Sequence, residues 1–133
     1  MTTLTDADRK SLCKQLSYAH AWVDLDCDGY AVSIYTFQMR PLQYGLFVLI
    51  GGHFKGAWLL DDCEERRRFM RPVSRYRFNK SVRTTSALRR MFGRKKIDSK
   101  VVSYKVVWLS PRAMLRHFEG NNKIITIVPR AAS

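Results

Sequence analysis

Basic side chains are the residues of this sequence whose type and density most clearly suggest chemistry. They concentrate in residues 66–116, which carry seventeen Lys and Arg residues against a single acid, Asp98. Arginine dominates, and its planar guanidinium can bind a phosphate with two parallel hydrogen bonds, whereas lysine offers a point charge. Aromatic residues such as Tyr76 and Phe92 are interleaved with the bases, where exposed rings could stack on unpaired nucleobases. The stretch therefore predicts contact with a polyanion.

Some of these bases fall on segments that have few acids nearby. The segments are a half-exposed strand near residues 73–78, a short helix that follows it, and the basic loop after that helix. We predict that the following residues contact nucleic acid: Arg75, Arg77, Arg89, Arg90, Arg94, Lys95 and Lys96. A solvated face, or a face that meets an acidic protein, is the alternative interpretation of the same residues.

The three consecutive arginines Arg66, Arg67 and Arg68 are interpreted differently. Successive residues of a helix are about 100° apart, so the three cannot all face one ligand. Asp62 and Arg66, and likewise Glu64 and Arg68, have the i, i+4 spacing of local ion pairs. We expect these arginines to be engaged mainly within their own helix.

The acidic residues Asp24, Asp26 and Asp28 follow a D-x-D-x-D-G pattern that ends at Gly29. Over these six residues the chain resembles the start of an EF-hand calcium loop, which implies carboxylate ligands for a hard cation. The twelfth position of such a loop would be Tyr35, where that family uses a bidentate Glu. An acidic hairpin turn is therefore the favoured prediction, cation binding by the three aspartates stays open, and no metal or cofactor is assigned.

A second acidic pattern, Asp98-Ser99-Lys100, fits the (D/E)-x-K half of a nuclease metal site. Asp61 or Asp62 would have to supply the upstream carboxylate. A metal-dependent nuclease is thus an alternative function, but no residue is assigned as catalytic, and a non-enzymatic protein is favoured.

Charge is distributed unevenly along the 133 residues, whose formal net charge is +13. Residues 1–65 carry five bases and nine acids, for a net charge of −4, whereas residues 66–116 have a net charge of +16. We predict one domain spanning 1–133, with an acidic N-terminal part (1–65) and a strongly basic central part (66–116). The acidic part is a candidate surface for a basic protein partner.

Composition also excludes several classes of protein. The longest apolar run is far shorter than the roughly 20 residues that a transmembrane helix needs, so no membrane association is predicted. Charged residues interrupt the first residues, which argues against a signal peptide. Three cysteines without a C-x-x-C pair indicate a reducing, intracellular location, either cytoplasmic or nucleoid-associated. No zinc-finger, RNP1 or KH pattern indicates readout of a specific base sequence.

The elements that must position these side chains follow from hydrophobic periodicity and turn residues. Strands are predicted at 22–25, 30–39, 44–50, 53–60, 73–78, 100–109 and 123–128. Helices are predicted to start at Thr5, at Asp61 or Asp62, at Thr84 or Thr85, and at Ser110, which precedes Pro111. The predicted fold class is α+β, with a mostly antiparallel sheet of about five to seven strands and three or four short helices packed on it.

These observations predict a small, non-enzymatic basic protein that acts on nucleic acid or on a nucleoprotein machine. One form of this function is a phage- or plasmid-type inhibitor or modulator of a host nucleic-acid enzyme, such as a CRISPR effector. The alternatives are the nuclease and a protein-only adaptor that binds an acidic partner.

Overall fold

The computed structural model describes residues 4–129. In chain order, its elements are α1 (Asp6–Gln15), β1 (Trp22–Cys27), β2 (Tyr30–Arg40), β3 (Gln43–Ile50), α2 (Ala57–Leu60), α3 (Glu64–Phe69), β4 (Arg71–Tyr76), α4 (Lys80–Thr84), α5 (Ser86–Phe92), α6 (Arg94–Ile97), β5 (Lys100–Lys105), β6 (Val107–Trp108), α7 (Pro111–Asn121) and β7 (Ile125–Val128). Five strands form one antiparallel sheet in the order β6-β3-β2-β1-β7, and β4 pairs with β5 in a separate two-stranded sheet.

Tight turns join the three long strands of the larger sheet. Asp28 and Gly29 connect β1 to β2, and both have positive φ, +51° and +93°. A two-residue hairpin turn in which both residues have φ above zero matches the right-handed twist of the strands it joins. The D-x-D-x-D-G pattern is therefore the end of a strand followed by a hairpin turn, as the favoured prediction had it.

The core lies on one face of this sheet. Alternate residues of the strands are buried there, among them Leu25 on β1, Ile34 on β2 and Val48 on β3. Such alternation with a period of two is what a sheet covered on one face requires.

Three helices supply the other side of the core. The Phe118 ring of α7 meets Phe69 at the end of α3 edge to face, with the ring centroids 5.4 Å apart. Trp108 on β6 also packs on Phe118, and its indole N–H donates to the carbonyl oxygen of Phe69 at 3.0 Å. From α1, Leu12 is buried. The longest helix among the described residues has eleven residues, and none is long and apolar enough to cross a membrane.

Contacts divide the described residues into two compact units. The main unit comprises residues 4–71 and 105–129 and contains the five-stranded sheet with α1, α2, α3 and α7. The second unit is Pro72–Tyr104, which contains α4, α5, α6 and all but the outermost residues of β4 and β5. We call it the basic unit, since ten of its residues are Lys or Arg.

The predicted α+β class and the antiparallel sheet are confirmed, whereas some individual elements differ. The strand predicted at 53–60 is wrong, because only His53 bridges to Ile50 and the apolar residues that follow form α2. The single strand predicted at 100–109 is divided into β5 and β6, which belong to different sheets. The described residues contain seven helices because α2, α4 and α6, each of four or five residues, add to those predicted.

Candidate nucleic-acid interface

Positive charge is concentrated in the basic unit. Its 33 residues carry ten bases and one acid, for a net charge of +9, while the remaining 100 residues carry fourteen bases and ten acids, for +4. The predicted boundaries of 66 and 116 separate the charge more sharply, because residues 66–116 have a net charge of +16 and the rest of the chain has −3. The seven bases of 66–116 that lie outside the basic unit belong to the main unit.

All seven residues predicted to contact nucleic acid lie in the basic unit. Arg75 is on β4, Arg77 follows that strand directly, and the others are on α5 and α6. The guanidinium of Arg89 is half-buried, and the remaining six side chains are exposed. The residues predicted as a basic loop, 94–96, form the first turn of α6, which begins after Gly93. Gly93 has a φ of +83°, a conformation that favours glycine.

Backbone and side-chain hydrogen bonds connect Arg77 and Arg89 to the segment 96–99, which contains the predicted residue Lys96. The amide N–H of Arg77 donates to the carbonyl oxygen of Ser99 at 2.9 Å. The Ser99 hydroxyl in turn donates to the carbonyl oxygen of Lys96 at 2.6 Å. Asp98, in the same segment, binds Arg89. The backbone of Arg77 and the guanidinium of Arg89 are thus both attached to residues 98–99, which directly follow α6.

Asp98 and Arg89 form a bidentate ion pair. The two terminal nitrogens of Arg89 donate to the two carboxylate oxygens of Asp98 at 2.8 and 2.9 Å. The hydrogen bonds from Arg89 lower the pKa of Asp98, so this carboxylate stays ionised. A nuclease metal would have to displace Arg89 from both oxygens, and the geometry therefore does not favour the (D/E)-x-K interpretation.

The other predicted cations form no ion pair with a carboxylate of the described residues. Among residues 4–129, no ion pair joins an acid to any of Arg75, Arg77, Arg90, Arg94, Lys95 or Lys96. Asp98 is the one acid of the basic unit, and Arg89 occupies it. Six exposed positive charges consequently remain available to an external anion.

The Tyr76 and Phe92 rings of the basic unit are engaged by cations, which sequence reasoning did not foresee. The guanidinium carbon of Arg83 lies 3.6 Å from the Tyr76 ring centroid, and Lys100 Nζ lies 4.8 Å from it. Lys96 Nζ lies 5.4 Å from the centroid of Phe92. Cations over an aromatic face are attracted by its quadrupole. A nucleobase would have to displace them, so the geometry favours contact with phosphates over the stacking expected from sequence.

The aspartates of the calcium-like pattern are committed to the fold. The Asp24 carboxylate accepts hydrogen bonds from the Trp22 indole and the Ser33 hydroxyl. Asp28 accepts from the backbone N–H groups of Lys123 and Ile124 at 2.9 and 2.8 Å, and from Arg68 at 2.7 Å. Within residues 4–129, no three His, Cys, Asp or Glu side chains form a group that could hold a metal ion.

The hydrogen bonds to Asp28 also change its acidity. The two backbone donors, followed by Arg68, lower the pKa of its carboxyl group from 3.8 to about 2. These donors join the β1–β2 turn to the segment before β7. Asp28 is therefore a structural residue of the main unit.

The arginines at the start of the predicted basic block pair with acids of the N-terminal part. Arg68 binds Glu64, as predicted, but also Asp28. Asp62, which lies before the start of α3 at Glu64, pairs with Arg67 at 3.0 Å. Several acids of residues 1–65 are thus neutralised within the main unit, which leaves less negative charge for a basic protein partner.

Neither a protein-family model, nor a curated protein, nor a solved structure matches the chain.

Proposed function

We propose that the basic unit binds the phosphate backbone of nucleic acid and that the protein is a non-enzymatic nucleic-acid-binding protein. The observation that carries the proposal is a set of six exposed cations that form no ion pair with a carboxylate of residues 4–129, in a unit whose net charge is +9. Like charges held close together repel one another, and a polyanion relieves that repulsion. Each phosphate neutralised by Lys or Arg also releases condensed counterions, which drives binding.

Binding of this kind is independent of base sequence. The exposed cations can reach phosphate oxygens, whereas Tyr76 and Phe92 already have cations over their rings. Contacts to phosphate position a protein on nucleic acid but carry no sequence information. We therefore expect similar affinity for unrelated sequences of equal length and strandedness.

The same surface would act on nucleic acid held in a nucleoprotein complex. A protein that covers phosphates needed by a nucleic-acid enzyme would compete with that enzyme for its substrate. The small size and high charge of the protein suit a modulator of such an enzyme. One example is a phage- or plasmid-encoded protein that inhibits a host enzyme.

The proposal is tested by removing the six free cations together. The basic-unit variant has glutamine in place of all six, which lowers the formal net charge from +13 to +7. The replaced residues are Arg75, Arg77, Arg90, Arg94, Lys95 and Lys96. A matched control has glutamine at six exposed bases of the main unit: Lys10, Lys14, Lys55, Arg112, Arg116 and Lys123. Both variants have the same net charge, so they separate a localised interface from general attraction.

Binding to a labelled DNA or RNA oligonucleotide is measured by mobility shift or fluorescence anisotropy at low salt. We expect the basic-unit variant to bind at least about a hundredfold more weakly than the wild type, and the control variant to keep most of the affinity. Equal losses in both variants, or no binding by the wild type, would overturn the proposal. Wild-type binding to an acidic protein without binding to nucleic acid would favour the adaptor alternative.

A further inference from the structure

The main unit contains a pocket of about 530 Å³ that was not predicted from the sequence. It is lined by residues from the end of β2, from α2 and from the segment around β6. Three lining residues are cationic and three are large and apolar: Arg40, Arg71 and Lys105, and Met39, Leu59 and Leu109. None of the described residues that line it is acidic.

Arg71 is held in place by the backbone. Its Nε donates to the carbonyl oxygen of Val107 at 2.8 Å, and the side chain is half-buried. Within residues 4–129, its two terminal nitrogens make no hydrogen bond or ion pair. A guanidinium fixed at Nε keeps its terminal N–H groups free for an external acceptor and loses little conformational entropy on binding.

The other two cations of the pocket are also without acidic partners. Arg40 and Lys105 are exposed, and neither forms an ion pair with a described acid. By contrast, the groove between α1 and α7 contains Asp6 and Glu119, which pair with Arg9 inside it. Carboxylates thus pair with a cation in the groove between α1 and α7, but not in the pocket at Arg71.

We propose that this pocket binds a nucleotide, with its phosphate on Arg40, Arg71 and Lys105 and its base against Met39, Leu59 and Leu109. A dianionic phosphate suits a pocket lined by three cations better than a single carboxylate does. The apolar side suits a flat ring, because the thioether of a methionine makes favourable contacts with aromatic groups. The volume lies in the range of about 300–1,000 Å³ typical of small-molecule sites. The inference rests on the main unit and is independent of the function proposed for the basic unit.

The test is calorimetric titration of the full chain with adenosine monophosphate, adenosine and inorganic phosphate. We expect adenosine monophosphate to bind at least about tenfold more tightly than either fragment, because it alone fills both halves of the pocket. The double variant Arg40→Gln/Lys105→Gln should weaken its binding by about tenfold or more. Both side chains are exposed, so this variant stays informative if Arg71→Gln fails to fold.

Two controls locate the binding and separate it from the basic unit. Arg112→Gln/Arg116→Gln, in the groove between α1 and α7, should leave the affinity for adenosine monophosphate unchanged. The six-residue basic-unit variant should also leave it unchanged. Loss of binding in either control, no change in Arg40→Gln/Lys105→Gln, or inorganic phosphate binding as tightly as the nucleotide would overturn the proposal.

Oligonucleotides test whether the pocket binds a free nucleotide or the terminal nucleotide of a nucleic-acid chain. Tighter binding of a 5′-phosphorylated than of an unphosphorylated oligonucleotide to the basic-unit variant would support the pocket as a site for a chain end. Equal binding of the two oligonucleotides, together with tight binding of adenosine monophosphate, would support it as a site for the free nucleotide.

Discussion

Arg68 joins parts of the main unit that are distant in the sequence. Its guanidinium donates to Asp28, Glu64 and the side-chain oxygen of Asn122, and it lies 5.3 Å from the Tyr30 ring centroid. Asn122 is buried and in turn donates to the carbonyl oxygen of Phe118. One arginine thus connects the β1–β2 turn, α3 and the end of α7.

Replacing Arg68 should destabilise the main unit. In Arg68→Met, the buried oxygen of Asn122 loses its donor, and an unsatisfied buried polar group costs about 1–3 kcal/mol. Urea denaturation measures the difference in the free energy of unfolding. Arg67→Met is the matched control, because that side chain is exposed and its pair with Asp62 is a surface pair, so we expect a change below about 0.5 kcal/mol. Equal effects of the two substitutions would refute the role assigned to Arg68.

Asp28 should make stability depend on pH in the acid range. Its pKa is lowered to about 2 in the folded chain by the two backbone donors and Arg68. The unfolded chain therefore binds this proton more readily, so the stabilisation is complete above about pH 4 and is lost as the pH falls towards 2. We expect the wild-type Tm to fall more steeply between pH 4 and pH 2 than that of Asp28→Asn. Asparagine does not titrate and tolerates the φ of +51°. Parallel Tm curves for the two proteins would show that Asp28 does not carry this dependence.

Gly45 on β3 is needed because neighbouring side chains pack closely against its Cα, and not because its backbone has an unusual φ. A Cβ atom there would lie 2.8 Å from Met39 Sδ and 3.0 Å from atoms of Phe37 and Val107. The absent side chain leaves room for the Phe37 and Met39 side chains of β2 beside β6. This arrangement also fixes Met39 and Val107 next to the pocket at Arg71.

Gly45→Ala should therefore destabilise the chain, by about 1–3 kcal/mol as for other overpacked sites. Gly56→Ala is the control, since a Cβ at Gly56 meets nothing within 4 Å and the backbone there is already helical. Thermal or urea unfolding of both variants checks the prediction. A loss of stability no larger in Gly45→Ala than in Gly56→Ala would contradict the packing assigned to Gly45.

How far the sequence predicts these elements depends on local signals. Thr5 and Ser110 cap α1 and α7 as their sequences predict, because capping depends on neighbouring residues. The apolar residues 57–60 gave a strand prediction and form α2, because a short apolar run carries no period that separates strand from helix.

Long-range contacts were beyond sequence reasoning. Two partners of Arg68, Asp28 and Asn122, lie 40 and 54 residues away. The pocket at Arg71 combines side chains from β2, α2 and the neighbourhood of β6. For the proposed interface, the sequence indicated where the bases lie. It did not indicate which of them a carboxylate neutralises, since Asp98 is nine residues from Arg89.

On the scale of the whole molecule, the two units differ in how much apolar surface they bury. Among the described residues, Ile97 is the one buried apolar side chain of the basic unit, and the others all belong to the main unit. A chain of 33 residues with so small a core is below the size at which domains usually fold alone. The main unit, in contrast, contains a sheet with a covered face.

Replacing residues 72–104 by a flexible Gly/Ser linker should consequently leave the main unit folded. We expect the shortened chain to keep its near-ultraviolet circular dichroism and a single cooperative urea transition, and to lose its affinity for nucleic acid. A peptide of residues 72–104 alone should show no cooperative transition. A non-cooperative shortened chain would show that the main unit depends on the basic unit for its fold.

The salt dependence of nucleic-acid binding measures how many phosphates the basic unit neutralises. If the six free cations each neutralise one phosphate, a plot of log K against log salt concentration for duplex DNA has a slope of about −5, since each phosphate contributes about −0.9. The basic-unit variant should have a slope near zero, and the main-unit control should keep most of the wild-type slope. A shallow wild-type slope, or a steep slope that survives in the basic-unit variant, would contradict the account.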